Sequence, residues 1–270
     1  MSTTQKSIAI ITGASSGLGK EFALQLADEK YNINEFWLIA RRKNELEKLS
    51  EQIKSISTQP HLNIKIIELD LTQVDVVEAK LVPLLKEHKI KWFVNNAGFG
   101  LVGFFDKLPL KKQLEMIQLN VTSMTQLTGL VLPNMEPQSH IIITASSAGF
   151  FPLPTFAVYG ATKAYVVSFA NALASELLSK QISVTALCPG PVKTEFFDIA
   201  FIHNKDIQNK NKMSAMGMAE SKDVVKKALA DAQKKKLRST YGWLMNFFVS
   251  ISGIIPRNVL KTKIAWLLHK

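Results

Sequence analysis

Six short apolar runs, separated by stretches with helical periodicity, restrict this chain to a narrow class of folds. The runs are Ser7–Thr12, Phe36–Ala40, Ile64–Leu69, Trp92–Val94, Ile141–Thr144 and Val184–Leu187, all of strand length and mostly β-branched or aromatic. Between them lie a helical pattern at Phe22, Leu24, Leu26 and Ala27 and helices expected near Asn44–Ile56, Val74–Glu87 and Lys111–Leu132. A last helix is expected through Ala170, Leu173, Ala174 and Leu177. A strand with no polar face must be covered on both sides, and a helix between successive strands returns the chain to pair in parallel. The pattern predicts an α/β fold: a doubly wound, mostly parallel sheet of about seven strands with helices on both faces, followed by a C-terminal helical tail.

With 270 residues, 47% of them apolar, the chain has enough material for one substantial core. No linker or repeat divides it, so residues 1–236 are expected as one domain and 237–270 as an apolar, basic extension. Met1–Lys6 is polar and Ile8–Ile11 is only strand length, so no secretory leader is expected. The single cysteine, Cys188, has no disulfide partner in the chain and fits a reducing compartment, with cytoplasmic localisation the simplest. His61, His88, His140, His203 and His269 show no ligand spacing, and no metal site is expected. The net charge of +11 suggests nucleic acid until it is located: no acid follows Asp231, and the eight bases after it leave only +3 on the rest. The charge belongs to the tail, which argues against a nucleic-acid partner.

The strand ends carry the chemistry. Gly13-Ala14-Ser15-Ser16-Gly17-Leu18-Gly19 lies between the first strand and first helix, where backbone N–H groups and the helix dipole favour a phosphate. Further loops leave the later strands at Arg41-Arg42, Asp70-Leu71, Asn95-Asn96-Ala97-Gly98, Ser146-Ser147 and Cys188-Pro189-Gly190, the edge where open parallel sheets bind ligands. Tyr159 and Lys163 sit four apart on one helix face. A phenol titrates near about 10, and a neighbouring ammonium is expected to lower that value, making Tyr159 a candidate general acid/base.

Taken together, these motifs resemble the short-chain dehydrogenase/reductase family from about Ser7 to Thr194. Thr12-Gly13-x-x-x-Gly17-x-Gly19 is similar to its dinucleotide loop, Asn95-Asn96-Ala97-Gly98 to its central-sheet motif, and Pro189-Gly190-Pro191-Val192-x-Thr194 to the segment closing over nicotinamide. The resemblance implies a Rossmann-type domain and the tetrad Asn120, Ser146, Tyr159 and Lys163. It also implies their roles: Tyr159 exchanges a proton with the substrate oxygen, Ser146 bonds that oxygen, Lys163 holds the ribose hydroxyls and lowers the phenol pKa, and Asn120 positions a proton-relay water. Cofactor contacts are implied for Gly13, Ser15, Ser16, Gly17, Leu18, Gly19, Arg41, Arg42, Asp70, Leu71, Asn96, Ala97, Gly98, Tyr159, Lys163, Pro189, Gly190, Val192 and Thr194. Asp70 is also a candidate cap for the next helix. Arg41-Arg42, with no acid before Glu45, point to NADP(H) rather than NAD, because arginine pairs with a 2′-phosphate where a carboxylate would bind a ribose hydroxyl. Family members often pair their long helices, so a homodimer or homotetramer is expected. A non-catalytic dinucleotide-binding regulator or scaffold is the competing functional class.

Phe99–Phe105, Phe150–Phe156 and the segment with Phe196, Phe197, Ile199, Phe201 and Ile202 are expected to line an apolar substrate pocket, implying a lipophilic carbonyl or alcohol. In the tail, 18 uncharged residues separate Arg238 from Arg257, and Leu260, Ile264, Trp266 and Leu267 then alternate with bases. Three readings stand: a transmembrane span, an amphipathic contact with a membrane surface, or a cap over the pocket or a subunit interface.

Overall fold

The computed structural model describes residues 7–59, 62–86, 88–202 and 217–252. A seven-stranded sheet organises them: β1 (Ile8–Thr12), β2 (Glu35–Ala40), β3 (Asn63–Glu68), β4 (Ile90–Asn95), β5 (Met135–Thr144), β6 (Ser183–Leu187) and β7 (Arg238–Ser239). The order is β3-β2-β1-β4-β5-β6-β7, and every pairing is parallel. From β1 the chain builds outward to β3, then returns to lay β4 on the other side of β1. That reversal opens a crevice at the carboxyl ends of β1 and β4.

The strands' period of two divides the core. Ile8, Ile10, Ile39, Phe93, Ile141 and Ile143 face one apolar layer, whereas Ala9, Ile11, Phe36, Leu38, Val94 and Ile142 face the other. The first layer is closed by α3 (Val74–Leu85), α5 (Met124–Val131) and α6 (Ala157–Glu176). The second is closed by α1 (Gly17–Leu26), α2 (Lys43–Ile56) and α8 (Ser221–Gln233). Two further helices, α7 (Phe196–Ala200) and α9 (Trp243–Ile251), stand near the carboxyl edge of the sheet.

Two expectations change. The long helix expected over Lys111–Leu132 is α4 (Leu110–Ile117), a widened π-helical turn over Gln118–Ser123, then α5. Ser123 Oγ donates to the Gln118 carbonyl at 2.9 Å, five residues back, across the widened turn. The extension expected from residue 237 contributes its first residues to the sheet. Leu237 accepts from Ala186 N–H at 2.9 Å and Ser239 from Cys188 N–H at 2.8 Å. A two-residue strand is too short to leave a sequence pattern. The tail pattern expected beyond Ser252, with Arg257, Leu260, Trp266 and their neighbours, lies outside the described residues, as do His61 and His203.

Candidate active site

A cleft of about 1360 Å³ runs along the carboxyl edge of the sheet. At one end stand Gly13, Ser15, Ser16, Gly17 and Leu18 with Arg41, Arg42, Asp70 and Leu71. Asn96, Ala97 and Gly98 form the middle, and Ser146, Tyr159, Lys163, Pro189, Gly190, Val192 and Thr194 the far end. Of the implied contacts, only Gly19 and Asn120 are absent from the lining, and each lies just behind it.

The glycine loop is built for close approach. Gly13 has φ +66°, and a Cβ there would sit 2.9 Å from Asn96 Nδ2. A Cβ on Gly19 would meet the Gly13 carbonyl at 2.2 Å, so the packing of α1 against the loop requires glycine here. Ser16 is the N-cap of α1 but makes no side-chain cap bond, and no acid occupies the first turn, so its N–H groups have no competing carboxylate. Arg42 donates to Ser15 Oγ at 3.2 Å and pairs with Glu195 at 2.9 Å, whereas exposed Arg41 has no side-chain partner among the described residues. Asp70 Oδ1 accepts from Thr72 N–H at 3.0 Å and Thr72 Oγ1 at 2.8 Å, shaping the turn before α3 rather than capping the helix itself.

Thr12 ties the two halves together. Its hydroxyl accepts from the N–H groups of Asn96 and Ala97 at 2.9 and 3.0 Å, while Asn96 Nδ2 donates to the Thr12 carbonyl at 3.1 Å. Thr144 Oγ1 reaches Asn96 Oδ1 at 3.1 Å, so one side chain bridges β1 and β5 at the switch point.

At the far end, Tyr159 and Lys163 are buried on α6, whose first turns face the cleft. The Tyr159 ring lies between Phe156 and Phe196, with ring centres 5.8 and 5.5 Å away. The Ser146 hydroxyl, which acts to lower the Tyr159 phenol pKa, accepts from Ala148 N–H at 3.1 Å. Lys163 Nζ donates to the Thr144 carbonyl at 2.7 Å and stands 5.9 Å from the Tyr159 ring centre.

The electrostatics reverse one expectation. Burial drives the Tyr159 phenol up to about 12, and the neighbouring Ser146 hydroxyl offsets only part of that rise. Burial also drives the Lys163 ammonium down to about 8. Loss of water penalises the phenolate, so the pocket holds a protonated phenol. Cys188, beneath the same edge, is fully buried, and its thiol is likewise pushed up to about 12.

Asn120 is held by three side-chain hydrogen bonds. Its side chain accepts from Phe99 N–H at 3.1 Å, donates to the Phe99 carbonyl at 2.9 Å and reaches Thr162 Oγ1 at 3.1 Å. The amide is therefore engaged in fixing the loop after β4 against α6. The π-helical turn that carries Asn120 is what sequence periodicity missed.

The expected aromatic lining is partly right. Phe99, Phe151, Leu153, Phe156, Phe196, Phe197 and Ile199 reach the cleft, but Val102 and Phe201 pack in a separate cluster, and Phe104, Phe105 and Ile202 are exposed. Two lining residues, Met245 and Phe248, come from the tail and escaped the site reading. Their signal was the apolar spacing within α9.

The short chain dehydrogenase family model matches residues 7–203. A very-long-chain 3-oxoacyl-CoA reductase-A of Danio rerio is 35% identical over 71% of this chain and 60% of its own length. A human 17-beta-hydroxysteroid dehydrogenase type 3 is 33% identical over 69% of the chain and 59% of its own length. The chain thus spans about three fifths of these curated relatives. A solved short-chain dehydrogenase of Sphingobium yanoikuyae, in complex with NADPH, superimposes with a TM-score of 0.78 at 26% identity, covering 95% of each chain.

Proposed function

The chain belongs to the short-chain dehydrogenase/reductase family, and on that premise we propose that it is an NADP(H)-dependent oxidoreductase interconverting a lipophilic carbonyl compound and a secondary alcohol. The observation that carries this reading is the shared cleft, with a phosphate-type glycine loop and two arginines at one end and a buried, protonated Tyr159 at the other. The residues fit the dinucleotide: glycines stand where a Cβ would close the loop, and Arg41 is exposed at the rim without a protein partner among the described residues. When bound, the dinucleotide supplies or accepts the hydride.

In this proposal the Tyr159 phenol gives its proton to the substrate oxygen during reduction and regains it during oxidation. A phenol held protonated through the neutral range suits the first direction. Ser146, which lines the same end of the cleft, bonds the same oxygen. Lys163 supplies positive charge beside the ring, and Asn120 acts as a positioning residue by holding Phe99. Phe151, Phe156, Phe196 and Ile199 exclude water and leave an apolar berth for the substrate body. The acyl and steroid carbonyls named in the two relatives support a lipophilic substrate.

Exposed Leu110, Leu114 and Ile117 on α4 and Tyr165 on α6 support a homodimer or homotetramer built on those helices. A cytoplasmic site of action belongs to the same reading. Among the described residues no helix is long and apolar enough to cross a membrane.

The test is a fluorescence titration with NADPH and NADH, followed by reduction assays on a panel of lipophilic ketones. Tighter NADPH binding with turnover supports the proposal. Binding without turnover favours the scaffold, and binding of neither dinucleotide removes the proposal.

A further inference from the structure

Helix α9 has two apolar faces and no charged residue. Its inner face belongs to the cleft: Val249 is 1% exposed, Met245 and Phe248 line the cavity, and a Cβ on Gly190 would meet Met245 Cε at 2.6 Å. The outer face, at helical spacing from Trp243 through Leu244 to Phe247, looks into solvent, with Trp243 81% and Phe247 54% exposed. Polar side chains hold the helix in place: Thr240 Oγ1 donates to Asn246 at 2.8 Å, and Arg238 donates to Ser250 at 3.0 Å.

The surroundings continue the outer face. Ile199 and Ile202 are exposed at α7, which lines the same cleft, and the Val102 N–H bonded to the Ala200 carbonyl at 2.9 Å ties exposed Phe104 and Phe105 to it. An apolar surface on both sides of a cavity mouth is more than scattered surface residues require. Charge identifies the occupant. No Asp or Glu follows Asp231 in the sequence, and α9 lies between Arg238 before it and Arg257, Lys261 and Lys263 after it, so the segment that carries the exposed face holds bases and no acid. The carboxylates beside this surface are engaged: Asp106 pairs with Lys107 at 3.1 Å, Glu195 pairs with Arg42 at 2.9 Å, and Asp198 on α7 has a partner as well. Exposed tryptophan and phenylalanine with flanking bases fit an anionic lipid surface. Nine residues span about 14 Å, enough to lie in the interface but not to cross a core of about 30 Å.

We propose that α9 docks this chain on an anionic bilayer, with Trp243, Leu244 and Phe247 entering the headgroup–acyl boundary while Met245 and Phe248 remain over the cleft. A lipophilic substrate then passes from the lipid into the cavity beneath the same helix. The docking stands on the exposed face and the basic segment that carries it; the substrate's route rests on the function proposed above.

The experiment is co-sedimentation of the full chain with phosphatidylcholine vesicles, with or without about one third phosphatidylserine, comparing wild type with a Trp243→Ser, Phe247→Ser double variant. Neither residue lines the cleft, so NADPH titration of the variant reports its fold. The expected result is recovery of the wild type with anionic vesicles, weaker recovery with neutral ones, and a loss of about tenfold or more in partitioning for the variant. Equal recovery of both proteins overturns the proposal, as does a wild type that stays in solution. A wild-type dimer in sedimentation velocity that the variant loses would assign the face to a second copy and also overturn it. A chain that sediments with vesicles but binds no NADPH removes the proposed function and leaves the docking surface standing.

Discussion

Arg42 and Glu195 form an ion pair of 2.9 Å, joining the end of β2 to the segment just after Thr194. Both residues line the cleft. Glu195 therefore occupies Arg42 and sets a negative charge where a 2′-phosphate is proposed to bind, while Arg41 remains without a described partner. Arg41→Ala is expected to weaken NADPH binding by about tenfold or more, the scale of one charge-assisted hydrogen bond, and to change NADH binding by less than about twofold. Glu195→Gln is expected to tighten NADPH binding by roughly two- to fivefold, because an exposed pair is worth only about 0.2–1 kcal/mol. Fluorescence titration measures both, and equal changes for the two dinucleotides would exclude a 2′-phosphate contact.

Tyr159→Phe removes the phenol but keeps the ring between Phe156 and Phe196. Ketone reduction is expected to fall by at least about a hundredfold, the scale of general acid catalysis, with NADPH affinity nearly unchanged. Steady-state rates and titration on the same preparation check this. A variant that keeps its turnover would take Tyr159 out of the mechanism.

The pKa directions give the apo protein a distinct stability profile. Lys163 falls from 10.5 to about 8 on folding, so between those values the unfolded chain holds more protons, and stability rises with pH through that window. Tyr159 rises from 10.0 to about 12, so above pH 10 the folded chain holds more protons, and this contribution to stability declines as pH climbs towards 12. Lys163→Met is accordingly expected to stabilise the cofactor-free protein at neutral pH, by on the order of 3 kcal/mol at most, while abolishing activity. Urea unfolding at pH 7 and pH 9.5 tests it: the variant's advantage is expected to shrink at the higher pH. An advantage independent of pH would assign the effect to packing.

Cys188 is fully buried, and burial raises its thiol to about 12. Iodoacetamide is expected to leave it unmodified in the native protein and to label it in denaturant, because the thiolate is the nucleophile. Mass spectrometry of the intact chain decides, and rapid native labelling would mean that the edge around Cys188 opens.

The sequence determined most of the frame. Apolar runs such as Phe36–Ala40 and Ile141–Thr144 could be strands only if buried on both faces, and their alternation with helices dictated parallel pairing. The glycine loop, Asn96, Ser146, Tyr159 and Lys163 were legible because they occupy strand ends and one helix face, which local spacing specifies. Tertiary structure decided what depends on distant partners. Asn120 faces Phe99 and Thr162 because a π-helical turn interrupts the helix, and a change of helical pitch leaves no periodicity to read. β7 is a strand because Ala186 and Cys188 offer it partners, not because two residues have a propensity. Met245 covers Gly190 because α9 folds back over a cleft whose other wall lies far away in sequence. The direction of the Tyr159 shift follows from burial, which sums over neighbours from several elements, whereas the four-residue spacing to Lys163 specified only the nearest charge.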